Sequence, residues 1–388
     1  MPEAVIVDAV RTPIGRAFKG SLIDARADDM AGFVIAELMK RSPAVDPVSV
    51  DDVMVGCGLS GGEVGYNLGR RASLLAGLPD TVPGVTVNRF CASSLQTIRM
   101  AFHAIRAGEG SISIAAGVES TTRVQSSTSD PAWLNPRFID NADSDFINYL
   151  YIPVGLTAEN VADQRGITRE RMDDYAKMSQ DRAIAAQESG FFDREIVPYP
   201  LPDGRVVRHD DCPRPNTTLE KLAQLKTIFK EQGTVTAGNS CPLNDGAAAV
   251  LVMPEERAAA LGLEPLARII ASSATAVAPE VMGLGPIEAT RKVLAAAGMS
   301  IGDIDLVELN EAFAAQVLAV VDDLGISIED QLNPHGGAIA LGHPYGMTGA
   351  RIMTTLLNGL STRDQTIGLE TMCVGGGQGM AMIVERLT

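Results

Sequence analysis

Short apolar runs that predict β-strands alternate along this chain with longer stretches of helical periodicity, and this alternation restricts the fold to the α/β class. The first strands and helices are predicted at residues 4–10, 28–42, 50–57, 85–90, 91–107 and 111–120. The same rhythm returns after residue 245. We therefore expect a large mixed sheet covered by helices.

The segment between about residues 121 and 245 interrupts that rhythm. It begins with a polar stretch rich in Ser, Asn and Asp, and then continues with separate helical pieces. At 388 residues the chain is also too long for one ordinary hydrophobic core. We predict an N-terminal half at 1–120, an inserted loop domain at 121–245, and a final part at 246–388 that completes the first half and forms the second.

A weak internal sequence similarity relates the two halves. In the first half, a strand leads into NRFCASSLQTIRMAFHAI and then into another strand. In the second, a loop leads into GHPYGMTGARIMTTLLNGL, again followed by a strand. Cys91 and His343 each stand just before the helix. A duplicated fold would bring the two helix starts together across a pseudo-two-fold axis.

The charge balance excludes several classes of partner. The net charge is −16, so neither nucleic acid nor an anionic membrane surface is an expected partner. No apolar run approaches the roughly 18–20 residues that span a bilayer, and no secretion signal is recognisable. The five cysteines are widely separated without a CxxC pair, which argues against zinc and favours free thiols in the cytoplasm.

Cys91 lies where a predicted strand turns into a helix. Amide N–H groups and the helix dipole favour an anion at such a position, which is a known setting for a lowered thiol pKa. The small residues Ala92, Ser93 and Ser94 leave room for a substrate. A cysteine that only fills the core is the competing interpretation.

His343 and Asn310 are further candidates at the ends of elements. Glycines flank His343 on both sides, so it belongs to a tight loop, where it could activate a thiol or merely cap a turn. Asn310 and Glu311 stand between a strand and a helix. The amide could hold a water or a carbonyl oxygen, whereas Glu311 could simply cap the helix.

Cys373 ends a predicted strand and precedes the glycine run at 375–377. Glycines free the backbone N–H groups to point at a developing oxyanion. A phosphate cradle is the competing interpretation of such a run. It is weakened because neither a GK[ST] nor a GxGxxG pattern follows.

Together these segments resemble the thiolase family. The motifs that carry the resemblance are VNRFCASSLQ, TAGNSCPLNDGAAA, LNEAFA, GGAIALGHPYGMTGAR and CVGGGQG. It extends from VDAVRTPIG at 6–14 to the last strand. It implies the five-layered αβαβα thiolase fold, in which two similar halves carry a loop domain over the site.

The resemblance also implies the catalytic roles. Cys91 matches the nucleophile that carries the acyl group, and His343 matches the residue that activates it. Asn310 matches the residue that holds a water in the first oxyanion hole. Cys373 matches the second cysteine, an acid and base, and the N–H groups of Cys91 and Gly375 match the second oxyanion hole. The implied reaction is reversible, CoA-dependent cleavage of 3-ketoacyl-CoA with ping-pong kinetics.

Coenzyme A is implied as a co-substrate, without a permanently bound cofactor or a metal. Cations from the loop domain would face its nucleotide end, and small and aromatic residues would line the pantetheine channel. A cysteine, with a serine next to it in sequence, stands where many members have serine beside the pantetheine. These residues are Arg214, Lys221, Phe229, Ala237, Ser240, Cys241, Ala312 and Phe313. The family also implies a homodimer or homotetramer, with the polar 121–145 segment contributing to tetramer contacts.

Departures from the family pattern bear on the substrate. Pro153 and Val154 stand where acetoacetyl-specific members carry His-Met, which favours a general 3-ketoacyl-CoA in fatty-acid or related lipid degradation. His335 replaces an asparagine and is a further candidate histidine. The alternatives are a biosynthetic acetoacetyl-CoA-forming thiolase, a ketoacyl synthase-like condensing enzyme and a catalytically silent CoA-binding scaffold.

Overall fold

The computed structural model describes residues 1–124, 134–139 and 150–388, so most of the polar 121–145 segment lies outside the described residues. The strands, in chain order from β1 to β12, are Ala4–Arg11, Gly15–Arg16, Asp52–Gly56, Gly84–Val87, Ser113–Ser120, Tyr199–Pro200, Val206–Val207, Asn244–Pro254, Ala267–Ala276, Leu306–Leu309, Ile367–Val374 and Gln378–Arg386.

The helices, in chain order from α1 to α12, are Ala27–Arg41, Leu68–Leu75, Ser93–Ala107, Thr121–Val124, Val154–Arg165, Arg169–Glu188, Leu219–Ala223, Glu255–Ala260, Gly285–Ala297, Ala314–Leu324, Ala338–Leu341 and Thr348–Thr362. Short 3₁₀ turns include Phe90–Ala92 before α3 and Pro279–Leu284 before α9. Within the described ranges, no helix is both long and apolar enough to cross a membrane.

The main sheet runs in the order β10-β11-β12-β9-β1-β8-β5-β3-β4, with β2 attached to β8. Strands β1 and β9 join its two halves through only two antiparallel residue pairs, Val5 with Arg268 and Ile6 with Ala267. Strands β10 and β11 are parallel, as are β3 with β4 and β5. The narrow junction lets the halves stack as separate layers.

Helices and half-sheets alternate in five layers. Helices α1 and α2 cover the outer face of the first half-sheet, and α3 and α12 lie between the two half-sheets. Helices α9 and α10 cover the outer face of the second. The α/β fold predicted from the sequence is confirmed. Helix α12 is buried along nearly its whole length, whereas α3 has an exposed side at His103. The first residues of both helices are buried, so their N-termini lie inside the molecule.

Strand β10 ends at Leu309, which is paired to Thr371 of β11 in parallel register. The chain continues from β10 into Asn310, and β11 continues through Cys373 to Val374. The 3₁₀ turn that contains Cys91 packs against both β11 and α12. The layering therefore brings segments that are far apart in sequence to one buried place.

A buried ion-pair network anchors the loop segment to the first strand. The guanidinium of Arg11, at the end of β1, contacts Glu195 and Asp210 at 2.8 Å each, and all three side chains are inaccessible to solvent. Asp210 also accepts a hydrogen bond from the backbone N–H of Ile14 at 2.7 Å. Removing one member of such a network leaves the others charged and buried.

We expect Arg11→Leu to lower the free energy of unfolding by about 3–5 kcal/mol. The matched control is Arg205→Leu, because Arg205 pairs with Asp203 where the side chains are 64% and 51% exposed. Exposed pairs contribute about 1 kcal/mol or less. Urea unfolding followed by circular dichroism measures both variants, and equal destabilisation would contradict an anchoring role for Arg11.

Candidate functional site

Cys91 lies in the 3₁₀ turn that leads into α3, and its side chain is buried. The hydroxyl of Ser93 fixes this turn by donating to the carbonyl of Phe90 at 2.7 Å and accepting from the N–H of Arg89 at 2.9 Å. Phe90 itself adopts a left-handed conformation, with φ of 44°. The strained turn thus holds Cys91 ahead of the helix.

The pKa of the Cys91 thiol is raised to about 12 by burial, although hydrogen bonds from the N–H groups of Gly375 and of Cys91 itself act to lower it. The sequence led us to expect a lowered pKa at a helix start, and that expectation is wrong for the free protein because loss of hydration outweighs the backbone dipoles. Cys91 is therefore a neutral thiol at neutral pH, and a base must remove its proton before it can attack.

The backbone around His343 is fixed by a residue that sequence reasoning did not single out. Asn244, the first residue of β8, accepts a hydrogen bond from the N–H of His343 at 2.9 Å. Gly342, with φ of 109°, passes so close that a Cβ there would lie 2.6 Å from the Asn244 side chain. In the sequence, this asparagine was indicated only as part of the motif LNDGAAA. His343, which it contacts, is 99 residues away.

The hydrogen bonds of the His343 ring determine its tautomer. Nδ1 lies 2.7 Å from the hydroxyl of Thr348, and that hydroxyl donates its single hydrogen to the carbonyl of Pro344 at 2.8 Å. Nδ1 must therefore carry the proton and donate to Thr348. Burial lowers the pKa of His343 to about 3, so the ring is neutral and Nε2 is the ring nitrogen that carries a lone pair. Nε2 can accept a proton.

Asn310 lies next to Nε2 of His343. Its Nδ2 lies 3.4 Å from His343 Nε2, and its backbone N–H donates to the carbonyl of Thr371 at 3.0 Å. Its Oδ1 is buried without a hydrogen-bond partner in the described part of the chain. A buried, unsatisfied amide oxygen is suited to hold a water or a ligand donor. The water-holding function that the family resemblance implies for Asn310 stays a prediction.

Glu311 does not cap a helix, contrary to one interpretation of the sequence. Its carboxylate accepts hydrogen bonds from the hydroxyls of Tyr175 and Ser179 at 2.7 Å each. It also accepts from the side chain of Asn333 at 2.9 Å and from the N–H of Ile339 at 3.1 Å. Glu311 thus ties helix α6 to the loop that precedes His343.

Cys373 is buried at the end of β11, in one apolar cluster with Ala312 and Phe313. Burial raises the pKa of its thiol, and negative charge on Cys91 or Cys241 would raise it further. The three thiols are therefore close enough to influence one another. Beyond Cys373, Gly376 and Gly377 have φ values of 77° and 79°, which side chains rarely adopt.

Several residues predicted to line the pantetheine channel converge on this cluster. The rings of Phe229 and Phe313 meet edge to face, with centroids 6.1 Å apart. The N–H of Cys241 donates to the carbonyl of Ala312 at 3.0 Å. The hydroxyl of Ser240 donates to the carbonyl of Thr236 at 2.7 Å, so it can only accept from a ligand.

The other candidates for the CoA site lie at the surface. Arg214 and Ala237 are exposed, and Arg214 has no acidic partner within the described ranges. Lys221 is also exposed, and its Nζ donates to the carbonyl of Asn216 at 2.7 Å. These residues are not part of the catalytic cluster. Their position on the loop segment leaves both cations accessible to an anionic ligand.

His335 does not join the candidate site. Its ring stacks on Phe191 with centroids 3.6 Å apart and planes 10° from parallel. Burial lowers its pKa to about 4, so it is neutral. Its described contacts include neither Cys91 nor His343. The described residues also contain no group of three or more His, Cys, Asp and Glu side chains that could hold a metal ion.

Residues 4–256 match the thiolase N-terminal domain, and residues 263–386 match the thiolase C-terminal domain. The chain belongs to the thiolase family. It is therefore an acyltransferase with the thiolase fold, as the sequence motifs indicated. CoA thioesters are the substrates of this family, so CoA is a reactant.

Relatives of this thiolase cover essentially its whole length. A beta-ketoadipyl-CoA thiolase of Acinetobacter baylyi is 47% identical over 100% of both chains. A 3-ketoacyl-CoA thiolase of Saccharophagus degradans is 45% identical over 99% of this chain and 98% of its own. The crystal structure of the Bacillus anthracis acetyl-CoA acetyltransferase superposes with a TM-score of 0.90 at 40% identity, covering 100% of this thiolase and 99% of that chain.

The tautomer of His343 gives a test of the site. We expect Thr348→Val to lower kcat by about 10- to 100-fold, less than the roughly 10⁴-fold cost of a wrong histidine tautomer where a carboxylate partner is lost. Thr348→Ser retains the hydroxyl and should stay near the wild-type rate. Steady-state cleavage of acetoacetyl-CoA by free CoA measures both. Equal rates for the Val and Ser variants would show that Thr348 does not position the ring.

Proposed function

We propose that this thiolase cleaves 3-ketoacyl-CoA with free CoA, giving acetyl-CoA and a shortened acyl-CoA by way of an acyl group on Cys91. The contact that carries this proposal is the one from the Gly375 N–H to the Cys91 sulfur, with Cys373 buried alongside. A nucleophile, an oxyanion donor and a second thiol then share one buried site. His343, whose Nε2 lies 3.4 Å from Nδ2 of Asn310, supplies the base.

In the first half-reaction, His343 Nε2 takes the proton of Cys91, and the sulfur attacks the 3-keto carbon. The Cα–Cβ bond breaks, and its electrons form the enolate of acetyl-CoA. His343, now protonated at Nε2, and a water held by Asn310 would donate to the enolate oxygen. One such donor contributes roughly 2.7–4 kcal/mol to the transition state. Cys373 then protonates the enolate carbon, and acetyl-CoA leaves.

In the second half-reaction, the thiolate of Cys373 takes the proton of a new CoA thiol. The CoA sulfur attacks the acyl carbon on Cys91, and the N–H groups of Cys91 and Gly375 stabilise the oxyanion of the tetrahedral intermediate. Cys91 leaves as a thiolate and recovers its proton from His343. Protons and electrons balance over the cycle, and the separate half-reactions give ping-pong kinetics.

Coenzyme A would reach the thiols along the face formed by Phe229, Phe313 and Ala312. The edge-to-face rings and the exposure of the loop segment support this path. Arg214 and Lys221 are exposed cations on that segment, and they would face the nucleotide phosphates. Local cations are needed because the chain as a whole carries −16.

The acyl chain is the open part of the proposal. Pro153 precedes α5, and Val154 is its first residue, 45% exposed, which supports room beyond an acetyl group. Relatives named beta-ketoadipyl-CoA thiolase and 3-ketoacyl-CoA thiolase are similarly identical, so lipid degradation is no better supported than cleavage of a dicarboxylic chain. We propose a 3-ketoacyl-CoA of at least six acyl carbons as the preferred substrate.

The test is CoA-dependent loss of 3-ketoacyl-CoA across a panel from acetoacetyl-CoA to long and dicarboxylic chains, with acetyl-CoA measured as product. A ketoacyl synthase-like enzyme would instead require a malonyl donor and release carbon dioxide. A silent CoA-binding scaffold would bind CoA without turnover. Absence of cleavage with every member of the panel would overturn the proposal.

We also propose a cytoplasmic homo-oligomer. All five cysteines are free, which supports a reducing compartment. Strand β4 is the last strand at one edge of the main sheet, and Asn67 already donates to its Gly84 carbonyl on the outer side, so the remaining outer backbone groups would pair with a second copy. Sedimentation equilibrium at several concentrations would distinguish a monomer from a dimer or a tetramer.

A further inference from the structure

Two side chains that have no part in the mechanism above, Arg89 and Gln378, connect the two segments that supply the N–H groups of Cys91 and Gly375. Arg89 lies two residues before Cys91, and its Nη1 donates to Oε1 of Gln378 at 3.0 Å. The Nε2 of Gln378 in turn donates to the carbonyl of Gly375 at 3.2 Å. A chain of two hydrogen bonds therefore runs from the residues before the nucleophile to the glycine turn.

Gln378 closes that turn. Strand β11 ends at Val374, which pairs with Gln378 at the start of β12, and the three glycines at 375–377 connect them. Glycine has more backbone freedom than any other residue, so strand pairing alone leaves the peptide after Gly375 poorly fixed. The Gln378 side chain holds that peptide by its carbonyl and so restricts the rotation of Gly375.

The turn before Cys91 is joined to the same glycine by a second contact. Phe90 has φ of 44°, a left-handed conformation that bulky residues rarely adopt. Its ring lies over Gly375, where a Cβ would be 3.4 Å from the ring atoms. The Nε of Arg89 is buried without a hydrogen-bond partner in the described part of the chain, so the contact with Gln378 is what directs this guanidinium. Phe90 and Arg89 thus join the two segments at neighbouring points.

We propose that Arg89 and Gln378 are positioning residues for the oxyanion hole that the N–H groups of Cys91 and Gly375 form. This proposal rests on the thiolysis proposed above. The cation on Oε1 polarises the Gln378 amide and strengthens its bond to the Gly375 carbonyl. An oxyanion donor is effective only while it is preorganised, and removing one lowers kcat by about 10²–10³-fold. A donor that is merely misaligned should cost less.

The first experiment is a double-mutant cycle on the cleavage of 3-ketoacyl-CoA. Gln378→Met keeps the length of the side chain and removes both hydrogen bonds, so we expect kcat to fall about 30-fold with KM within about twofold. Arg89→Met should lower kcat about tenfold, and Arg89→Lys, which retains a donor, should stay within about threefold. The double variant should lose about 30-fold, because both substitutions break one chain of contacts. Losses that multiply to about 300-fold would overturn the inference.

A second pair of reactions distinguishes the oxyanion hole from a general disturbance of the site. Acylation of Cys91 by acetyl-CoA passes through an oxyanion, whereas alkylation of the same thiol by iodoacetamide does not. In Gln378→Met, acylation measured by intact mass should slow about 30-fold, while alkylation located at Cys91 by peptide mass spectrometry should stay within about twofold. Equal slowing of both reactions would overturn the inference, and so would no slowing of either.

The matched control is Arg106→Met, in the last turn of α3, where Arg106 pairs with Glu3 at 2.6 Å. This substitution removes a partly buried arginine from the other end of the helix that follows Cys91. It should leave kcat, acylation and alkylation unchanged. Failure of the wild type to cleave any 3-ketoacyl-CoA would instead refute the proposed thiolysis.

Discussion

Cys91→Ala should lower CoA-dependent cleavage of 3-ketoacyl-CoA by on the order of 10⁴–10⁶-fold, the range seen when a nucleophile is removed. The neighbouring thiols cannot replace it. Burial raises the pKa of Cys241 and of Cys373, so both are protonated at neutral pH. Among the three thiols, only that of Cys91 receives the Gly375 N–H that would also stabilise an attacked carbonyl.

The acyl group on Cys91 can be detected directly as an increase in the mass of the protein. Wild-type protein incubated with an acyl-CoA should gain the mass of one acyl group, and Cys91→Ala should gain none. Cys241→Ala is the control, because it removes a partly buried thiol close to Cys91 and should retain the label. Labelling of Cys91→Ala at normal stoichiometry, by intact mass spectrometry, would show that another group is the nucleophile.

The fold was predictable because its determinants are local. Periodicity marks α3 and α12 as helices and β10 and β11 as strands, and chemically reactive residues stand at their ends. In a layered α/β fold those ends meet, so Asn310, His343 and Cys373 could be named from their motifs. The matched domains confirm the family that these motifs indicated.

What the sequence could not predict depends on packing. Asn244 supports His343 from 99 positions away, and Glu311 ties helix α6 to the segment before His343 instead of capping a helix. The predicted direction of the Cys91 pKa shift was wrong because burial depends on how the whole molecule packs. His335 lies close to His343 in sequence but stacks on Phe191. Proximity in sequence does not determine which ring lies beside Asn310.

Cys373→Ser should lower turnover by about 10³–10⁴-fold, in the upper part of the range for positioned proton transfer, while Cys91 can still be acylated. A serine hydroxyl is a far weaker acid than a thiol, so it can neither protonate the enolate nor leave an anion that deprotonates CoA. Acylation of Cys91 by a simple acyl-CoA forms no enolate, and the CoA sulfur can leave as a stable thiolate without a proton donor, so this step should be slowed but not abolished.

Comparing the two variants therefore distinguishes the role of Cys91 as the nucleophile from the role of Cys373 as the acid and base. Cys91→Ala should lose both turnover and label, whereas Cys373→Ser should lose turnover and keep the label, with thermal unfolding unchanged because the side chains are nearly isosteric. The wild-type burial of Cys373 beside Ala312 and Phe313 predicts that water cannot substitute for the missing thiol. Undiminished thiolysis by Cys373→Ser would remove it from the mechanism, and loss of the label would place it in acylation instead of proton transfer.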